Sequence, residues 1–272
     1  MSRLAEKFGK WKQAGHKALI PYVVAGDPHP EMTVPLMHAM VEAGADIIEL
    51  GVPFSDPMAD GPVIALGHER ALQHGVSLRD VLTMVRQFRE RDTSTPIVLM
   101  GYLNPVEAMG YATFAQLAAS SAVDAVLIVD MPPEEAGELL SELASAQVDP
   151  VFLLAPTTTM ERARKIVANA RGYLYYVSLK GVTGSAALDV DEVQHRVEQL
   201  RTLTTLPVAV GFGIRDAATA RRVSRCAEAV VVGSILVQLL ADSLSAPAQG
   251  VEAVVNLLRS MRMAMDQEDR PE

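Results

Sequence analysis

Eight short and almost entirely apolar runs recur along the chain and predict β-strands. Runs in which apolar residues follow one another, instead of alternating with polar ones, are typical of parallel strands buried on both faces. They occupy residues 18–24, 46–50, 96–100, 124–129, 150–154, 173–177, 207–210 and 228–232. Longer segments with an apolar residue at every third or fourth position separate them and predict helices, most clearly at 31–43, 78–91, 133–146, 160–170 and 190–203.

The repeated order of strand and then helix predicts an α/β fold, namely a closed (β/α)₈ TIM barrel. Eight such units fit into about 250 residues, which is the usual size of this barrel. We therefore expect residues 1–272 to form a single barrel domain. An open, doubly wound parallel sheet is the alternative that the strand pattern leaves open.

Three segments lie outside the eight units. Residues 1–15 hold an amphipathic helix at 2–14 whose apolar face can close the bottom of the barrel. That face carries Leu4, Phe8 and Trp11. Residues 234–240 predict a short helix directly after strand eight, with its amino terminus at the mouth of the barrel. The tail at 265–272 is charged and is expected to fray.

Composition and charge exclude several classes of protein. With 49% hydrophobic residues, the chain can build a sizeable core, so extended disorder is excluded. The 24 Lys and Arg against 33 Asp and Glu give a net charge of −9, which argues against nucleic acid as a partner. The single cysteine, Cys226, cannot form an internal disulfide, and the first residues lack a signal-peptide pattern. We expect a cytoplasmic protein that does not span a membrane.

The second predicted strand carries a glutamate where a core residue belongs. Strand alternation puts Ile47 and Glu49 on one face, so Glu49 points into the barrel if Ile47 does. Burying a carboxylate costs several kcal/mol of folding free energy. Glu49 lies at the carboxyl end of its strand, where barrel enzymes place catalytic groups. Glu49 is therefore a candidate general acid and base whose pKa is raised by desolvation. A structural glutamate paired with a buried cation or with backbone amides is the alternative.

The next segment, residues 51–62, contains three prolines, two glycines and two aspartates, so it predicts a loop. A loop at this end of the barrel brings Asp56 and Asp60 within reach of the group on which Glu49 acts. Either aspartate could instead cap a turn or the following helix.

Glycine turns follow the last three predicted strands and suggest a phosphate site. They are 180–184, 211–213 and 233–234. Glycines let backbone N–H groups approach an anion, and hydroxyl groups can add donors. The candidate phosphate-binding residues are Thr183, Gly184, Gly213, Gly233 and Ser234.

An apolar pocket is predicted between Glu49 and these turns. Its candidate residues lie near the carboxyl ends of strands: Tyr22, Met100, Leu127, Val129, Tyr175 and Phe212. Core packing explains each of them equally well. The histidines and the lone cysteine show no metal-ligand spacing, and no nucleotide-binding glycine signature follows a strand, so no metal or nucleotide cofactor is expected. Lys180 could form a Schiff base with a carbonyl substrate, although alternation favours a solvated loop position for it.

The motifs together resemble the alpha subunit of tryptophan synthase over nearly the whole chain. The resemblance rests on eight segments in matching order and spacing: LIPYVVAGDP (19–28), ELGVPFSDPMADGPVI (49–64), GYLNP (101–105), VDMPPEE (129–135), APTTT (155–159), GVTG (181–184), VGFGI (210–214) and VVGS (231–234). It implies a (β/α)₈ barrel that cleaves indole-3-glycerol phosphate to indole and glyceraldehyde 3-phosphate without a cofactor.

The resemblance also implies roles for individual residues. Glu49 matches the catalytic acid and base, Asp60 the carboxylate that holds the indole N–H, and Tyr175 a tyrosine near the reacting centre. The late glycine turns match a phosphate clamp, and Thr183 belongs to a loop that closes over substrate and positions Asp60.

The implied partner is the beta subunit, a pyridoxal-phosphate enzyme, in an αββα assembly. The loops containing Asp56 and Asn104 match its contact regions. Val24, Met58 and Leu179 depart from the commonest residues at their positions. These departures leave a stand-alone lyase that releases indole as an alternative. A non-catalytic subunit that activates a partner is a further alternative, against which the pair of Glu49 and Asp60 speaks.

Overall fold

The computed structural model describes residues 2–177, 190–211 and 213–267, and within them eight parallel strands close into a barrel. The strands are β1 Ala18–Val24, β2 Ile48–Gly51, β3 Ile97–Gly101, β4 Ala125–Ile128, β5 Asp149–Leu154, β6 Leu174–Val177, β7 Val208–Gly211 and β8 Ala229–Val232. Each pairs with the next in the sequence, and β1 pairs with β8, so the open-sheet alternative is wrong.

The helices surround the barrel. They are α1 Arg3–Ala14, α2 Pro30–Glu42, α3 Pro62–Gln73, α4 Leu78–Arg89, α5 Leu103–Met109, α6 Tyr111–Ser120, α7 Gly137–Ser145, α8 Met160–Asn169, α9 Val190–Arg201, α10 Ala217–Ser224, α11 Ser234–Ala241 and α12 Pro247–Met265. The bounds of β1 are as predicted, and the other predicted strand and helix bounds differ from the observed ones by at most four residues. That the whole chain is one domain stays a prediction.

One helix begins later than its pattern predicted. The segment predicted at 133–146 becomes helical only at Gly137, and residues 133–135 form a turn. The turn is closed by the Glu135 backbone N–H, which donates to the Pro132 carbonyl at 3.0 Å. The adjacent Pro132 and Pro133 explain the delay, because a residue that precedes proline disfavours helical angles. At the other end of the chain, most of the predicted frayed tail, 268–272, lies outside the described residues.

The amino-terminal helix closes one end of the barrel, as its apolar face predicted. Leu4 and Phe8 are buried against side chains of the barrel interior, and Trp11 packs at their edge. The rings of Phe8 and Tyr173 lie 6.1 Å apart between centroids. Ser2 caps the helix by accepting the Ala5 backbone N–H at 3.3 Å. With this end filled, the carboxyl ends of the strands form the mouth where a ligand can enter.

Candidate active site

Glu49 lies on β2 and points into the barrel, as strand alternation predicted. It is 0% exposed, and Ile47 shares the interior with it. Its Oε1 atom accepts a hydrogen bond from the Tyr173 hydroxyl, whereas Oε2 is buried and has no hydrogen-bond partner among the described residues. Burial raises the pKa of Glu49 from 4.5 to about 7, although the bond from Tyr173 opposes the shift. The carboxyl group can therefore give or take a proton near neutral pH.

Tyr173 is a site residue that the sequence analysis did not identify. It lies just before β6, on the same interior face as Tyr175. Burial, and to a smaller extent the charge of Glu49, raise the pKa of the Tyr173 phenol well above 10. The hydroxyl therefore stays protonated and acts as a hydrogen-bond donor to Glu49. Two tyrosines spaced by two residues on one predicted strand are the sequence signal that could have indicated this pair.

Asp60 lies in the loop after β2, two residues before the start of α3, and its side chain is only 7% exposed. Its Oδ2 atom accepts the Tyr102 hydroxyl at 2.8 Å and lies 3.3 Å from Nε2 of His68. The Tyr102 oxygen also accepts the Ala59 backbone N–H at 3.1 Å, which ties the loop to β3. Neither Tyr102 nor His68 was among the predicted site residues, because they are 42 and 8 positions away from Asp60 in the sequence.

Tyr22 and Tyr175 lie close to both carboxylates. Burial, together with the charges of Glu49 and Asp60, raises the pKa values of both phenols well above 10. Two strand-end glycines make room for their hydroxyl groups. A Cβ atom at Gly51 would collide with the Tyr22 hydroxyl, and a Cβ atom at Gly211 would collide with the Tyr175 hydroxyl. The structure thus brings Glu49, Asp60 and the two tyrosines to one end of the barrel.

The structure describes three of the four remaining predicted pocket residues. Leu127 is fully buried in the interior, and Met100 and Val129 are half-buried against the same cluster. Met100 and Leu127 are register partners on β3 and β4, so they face the interior side by side. Phe212, the last predicted pocket residue, lies outside the described residues.

Three of the five candidate phosphate-binding residues lie within the described part of the chain. The short helix predicted after strand eight is α11, which begins at Ser234 with Gly233 before it. Ser234 is exposed, and a Cβ at Gly233 would lie 3.3 Å from the Tyr22 ring, so this helix start borders the site. Gly213 has a φ of +77°, which favours glycine. Thr183 and Gly184, as well as Leu179 and Lys180, lie outside the described residues.

The two predicted partner-contact residues are both exposed, but only one lies in a loop. Asp56 lies in the loop after β2, where its carboxylate accepts the Ser55 hydroxyl at 2.5 Å. Asn104 lies in the first turn of α5, so its placement in a loop was wrong. The following Pro105 is compatible with a helix there, because the first helical turn does not use its backbone N–H groups.

The described residues contain neither a metal-ligand cluster nor a membrane-spanning helix. Over residues 2–177, 190–211 and 213–267, no group of three or more His, Cys, Asp or Glu side chains is arranged to hold a metal ion. Within the same ranges, no helix has both the length and the apolar character needed to cross a membrane.

Comparisons with known proteins agree with one another. A family model described as tryptophan synthase alpha chain matches residues 8–266. The tryptophan synthase alpha chain of Thioalkalivibrio sulfidiphilus is 62% identical over 98% of this chain and 100% of its own length. A crystal structure of tryptophan synthase subunit alpha from Legionella pneumophila superposes with a TM-score of 0.92 at 45% identity, over 98% of this chain and 99% of that one. A tryptophan synthase complex from Pyrococcus furiosus gives a TM-score of 0.81 at 34% identity, over 90% and 97% of the two chains.

Proposed function

Because this chain belongs to the tryptophan synthase alpha chain family, we propose how its own residues carry out the reaction of that family. The chain is a carbon–carbon lyase that cleaves indole-3-glycerol phosphate to indole and D-glyceraldehyde 3-phosphate in tryptophan biosynthesis. The relatives are named as tryptophan synthase alpha chains, so neither a stand-alone lyase nor a non-catalytic subunit is favoured.

Glu49 acts as general acid and then as general base. In its protonated form it gives a proton to C3 of the indole ring, which leaves a positive charge on the ring. The resulting carboxylate takes the proton of the glycerol hydroxyl next to the ring as the carbon–carbon bond breaks. The bonding electrons return to the ring, and the hydroxyl becomes the aldehyde, so Glu49 ends protonated as it began. The observation that carries this proposal is the buried Glu49 carboxyl, which has a pKa of about 7 and one oxygen without a hydrogen-bond partner among the described residues.

Asp60 holds the indole N–H and stabilises the positive charge that forms on the ring. Its side chain is almost completely buried, and the electrostatic attraction between a carboxylate and a nearby positive charge is strongest where water is excluded. Tyr175 lies beside the reacting centre and restricts where the substrate can sit. Tyr22, Met100, Leu127, Val129 and Phe212 contact the indole.

The phosphate group is bound at the late glycine turns. The start of α11 supports this, because the backbone N–H groups of a first helical turn point at an anion and the helix dipole favours it. Gly213, Gly233 and Ser234 supply donors there, and Thr183 and Gly184 complete the clamp.

A beta subunit is the partner that the family implies. We extend this to an αββα tetramer in the cytoplasm, in which Asp56 and Asn104 contact the beta subunit. The exposure of both side chains supports that contact. The alpha chain uses no cofactor of its own, and pyridoxal phosphate belongs to the partner.

Indole release from indole-3-glycerol phosphate tests the proposal. We expect slow release by the chain alone and much faster release with a tryptophan synthase beta subunit. Glu49→Gln should lower kcat by at least a factor of about 100, because general acid and base groups contribute roughly 10²–10⁴. Glu252→Gln, at an exposed position of α12, is the matched control. Activity of Glu49→Gln within tenfold of the wild type would reject the role of Glu49, and a covalent adduct trapped by borohydride would instead point to Lys180.

A further inference from the structure

We propose that His68 is a positioning residue, which orients Asp60 so that one carboxylate oxygen is left for the indole N–H. This inference rests on the proposed role of Asp60. His68 lies on α3, and only 1% of its surface is exposed, which is unusual for a residue with two polar ring nitrogens. A buried imidazole needs partners for both nitrogens, and the partners that the structure gives to His68 lie in the loop that carries Asp60.

The contacts of His68 determine which ring nitrogen carries the proton. Nδ1 accepts the Phe54 backbone N–H at 3.2 Å, so Nδ1 has a free lone pair and the proton lies on Nε2. Nε2 lies 3.3 Å from Asp60 Oδ2. This distance is within hydrogen-bond range, but the N–H is not directed at the oxygen, so no hydrogen bond forms, and Nε2 has no other hydrogen-bond partner among the described residues. A small rotation of the carboxylate completes the bond, as is common when substrate enters a site.

Two potential hydrogen-bond donors therefore lie close to the same oxygen of Asp60. The Tyr102 hydroxyl donates to Oδ2 at 2.8 Å, and His68 approaches that same atom. Within the described part of the chain, no donor contacts Oδ1. Holding Oδ2 from two directions fixes the plane of the carboxylate, and Oδ1 then has the free lone pairs that an indole N–H requires.

Phe54 connects the two donors to each other. Its ring stacks on Tyr102 with 5.1 Å between centroids and an angle of 27°, while its backbone N–H fixes His68. Asp60, His68, Tyr102 and Phe54 thus form one cluster, which we call the Asp60 cradle. The competing explanation is that His68 only anchors the loop backbone at Phe54, without acting on Asp60.

Three substitutions of His68 separate these explanations. Gln places an amide N–H near the position of Nε2, Asn places an amide oxygen near that of Nδ1, and Leu removes both functions. If His68 orients Asp60, His68→Leu should lower kcat/KM for indole release about tenfold to a hundredfold, because a hydrogen bond to a charged group is lost. His68→Gln should restore most of that loss, and His68→Asn should not. Restoration by Asn alone, or a His68→Leu enzyme within threefold of the wild type, would overturn the proposal.

Equilibrium binding provides a readout that a purely structural role would not produce. Indole and glycerol 3-phosphate serve as separate probes for the two ends of the substrate. We expect His68→Leu to weaken indole binding about three- to tenfold and to leave glycerol 3-phosphate binding unchanged. Equal weakening of both probes would show a general loss of structure and overturn the proposal. A wild-type chain that releases no indole would instead reject the function itself, so the two failures are distinguishable.

Discussion

Replacing Glu49 by Gln should make the protein more stable while it destroys activity. The substitution keeps the shape of the side chain, and the amide oxygen can still accept the Tyr173 hydroxyl. It removes the possibility of a buried negative charge, and it places an uncharged NH2 group at the position of Oε2, whose cost does not change with pH. Because Glu49 is completely buried and one of its oxygens has no hydrogen-bond partner in the described part of the structure, that charge is poorly compensated.

The magnitude follows from the raised pKa. The pKa of Glu49 is 4.5 ordinarily and about 7 in the folded protein. Between these values the folded protein holds a proton that the unfolded chain releases, so the free energy of unfolding falls as the pH rises through this window. Above pH 7 the full cost is roughly 3 kcal/mol, and at pH 5 it is roughly 1 kcal/mol. Gln carries no such cost, so its advantage should grow by about 2 kcal/mol between pH 5 and pH 8.

Thermal unfolding of both proteins at pH 5 and pH 8 measures this difference. A change of about 2 kcal/mol corresponds to a shift of roughly 5 °C in Tm for a chain of this size. The Glu252→Gln protein, altered at an exposed position, should show no pH-dependent difference from the wild type. A Glu49→Gln protein that is equally stable relative to wild type at both pH values would refute the reasoning, because the buried carboxyl would then not be charged at pH 8.

Two further predictions concern the surroundings of the site. Gly211→Ala should lower kcat/KM roughly tenfold to a hundredfold, because the new methyl group collides with the Tyr175 hydroxyl and misplaces it. Gly9→Ala on α1 is the control, because no atom lies within 4 Å of a Cβ at that position. Equal activity of the two variants would contradict the prediction. Arg70→Met should cost about 3–5 kcal/mol in the free energy of unfolding, measured with urea, because Asp27 is 0% exposed in its side chain and binds Arg70 through two bonds of 2.6 and 2.9 Å. Adding Asp27→Asn should recover much of this loss, and no recovery would show that the charge pair is not the cause.

The sequence motifs alone indicated the family, and the comparisons with known proteins confirm that assignment. The strand pattern alone was also informative. It predicted β1 at its observed bounds and placed Glu49 inside the barrel, because alternation along a strand depends only on neighbouring residues. Local patterns were less reliable at helix ends. Asn104 and residues 133–136 show this, since proline can begin a helix or delay it, depending on the surrounding backbone.

The sequence by itself therefore determined the order of the elements, the face on which each strand residue lies and the two carboxylates of the site. Only the tertiary structure decided which side chains hold those carboxylates. Tyr173 reaches Glu49 across 124 positions of sequence, and Tyr102 reaches Asp60 across 42. These contacts depend on how far neighbouring strands are offset when the barrel closes. That offset is set by the packing of the whole core and is not encoded in any short segment.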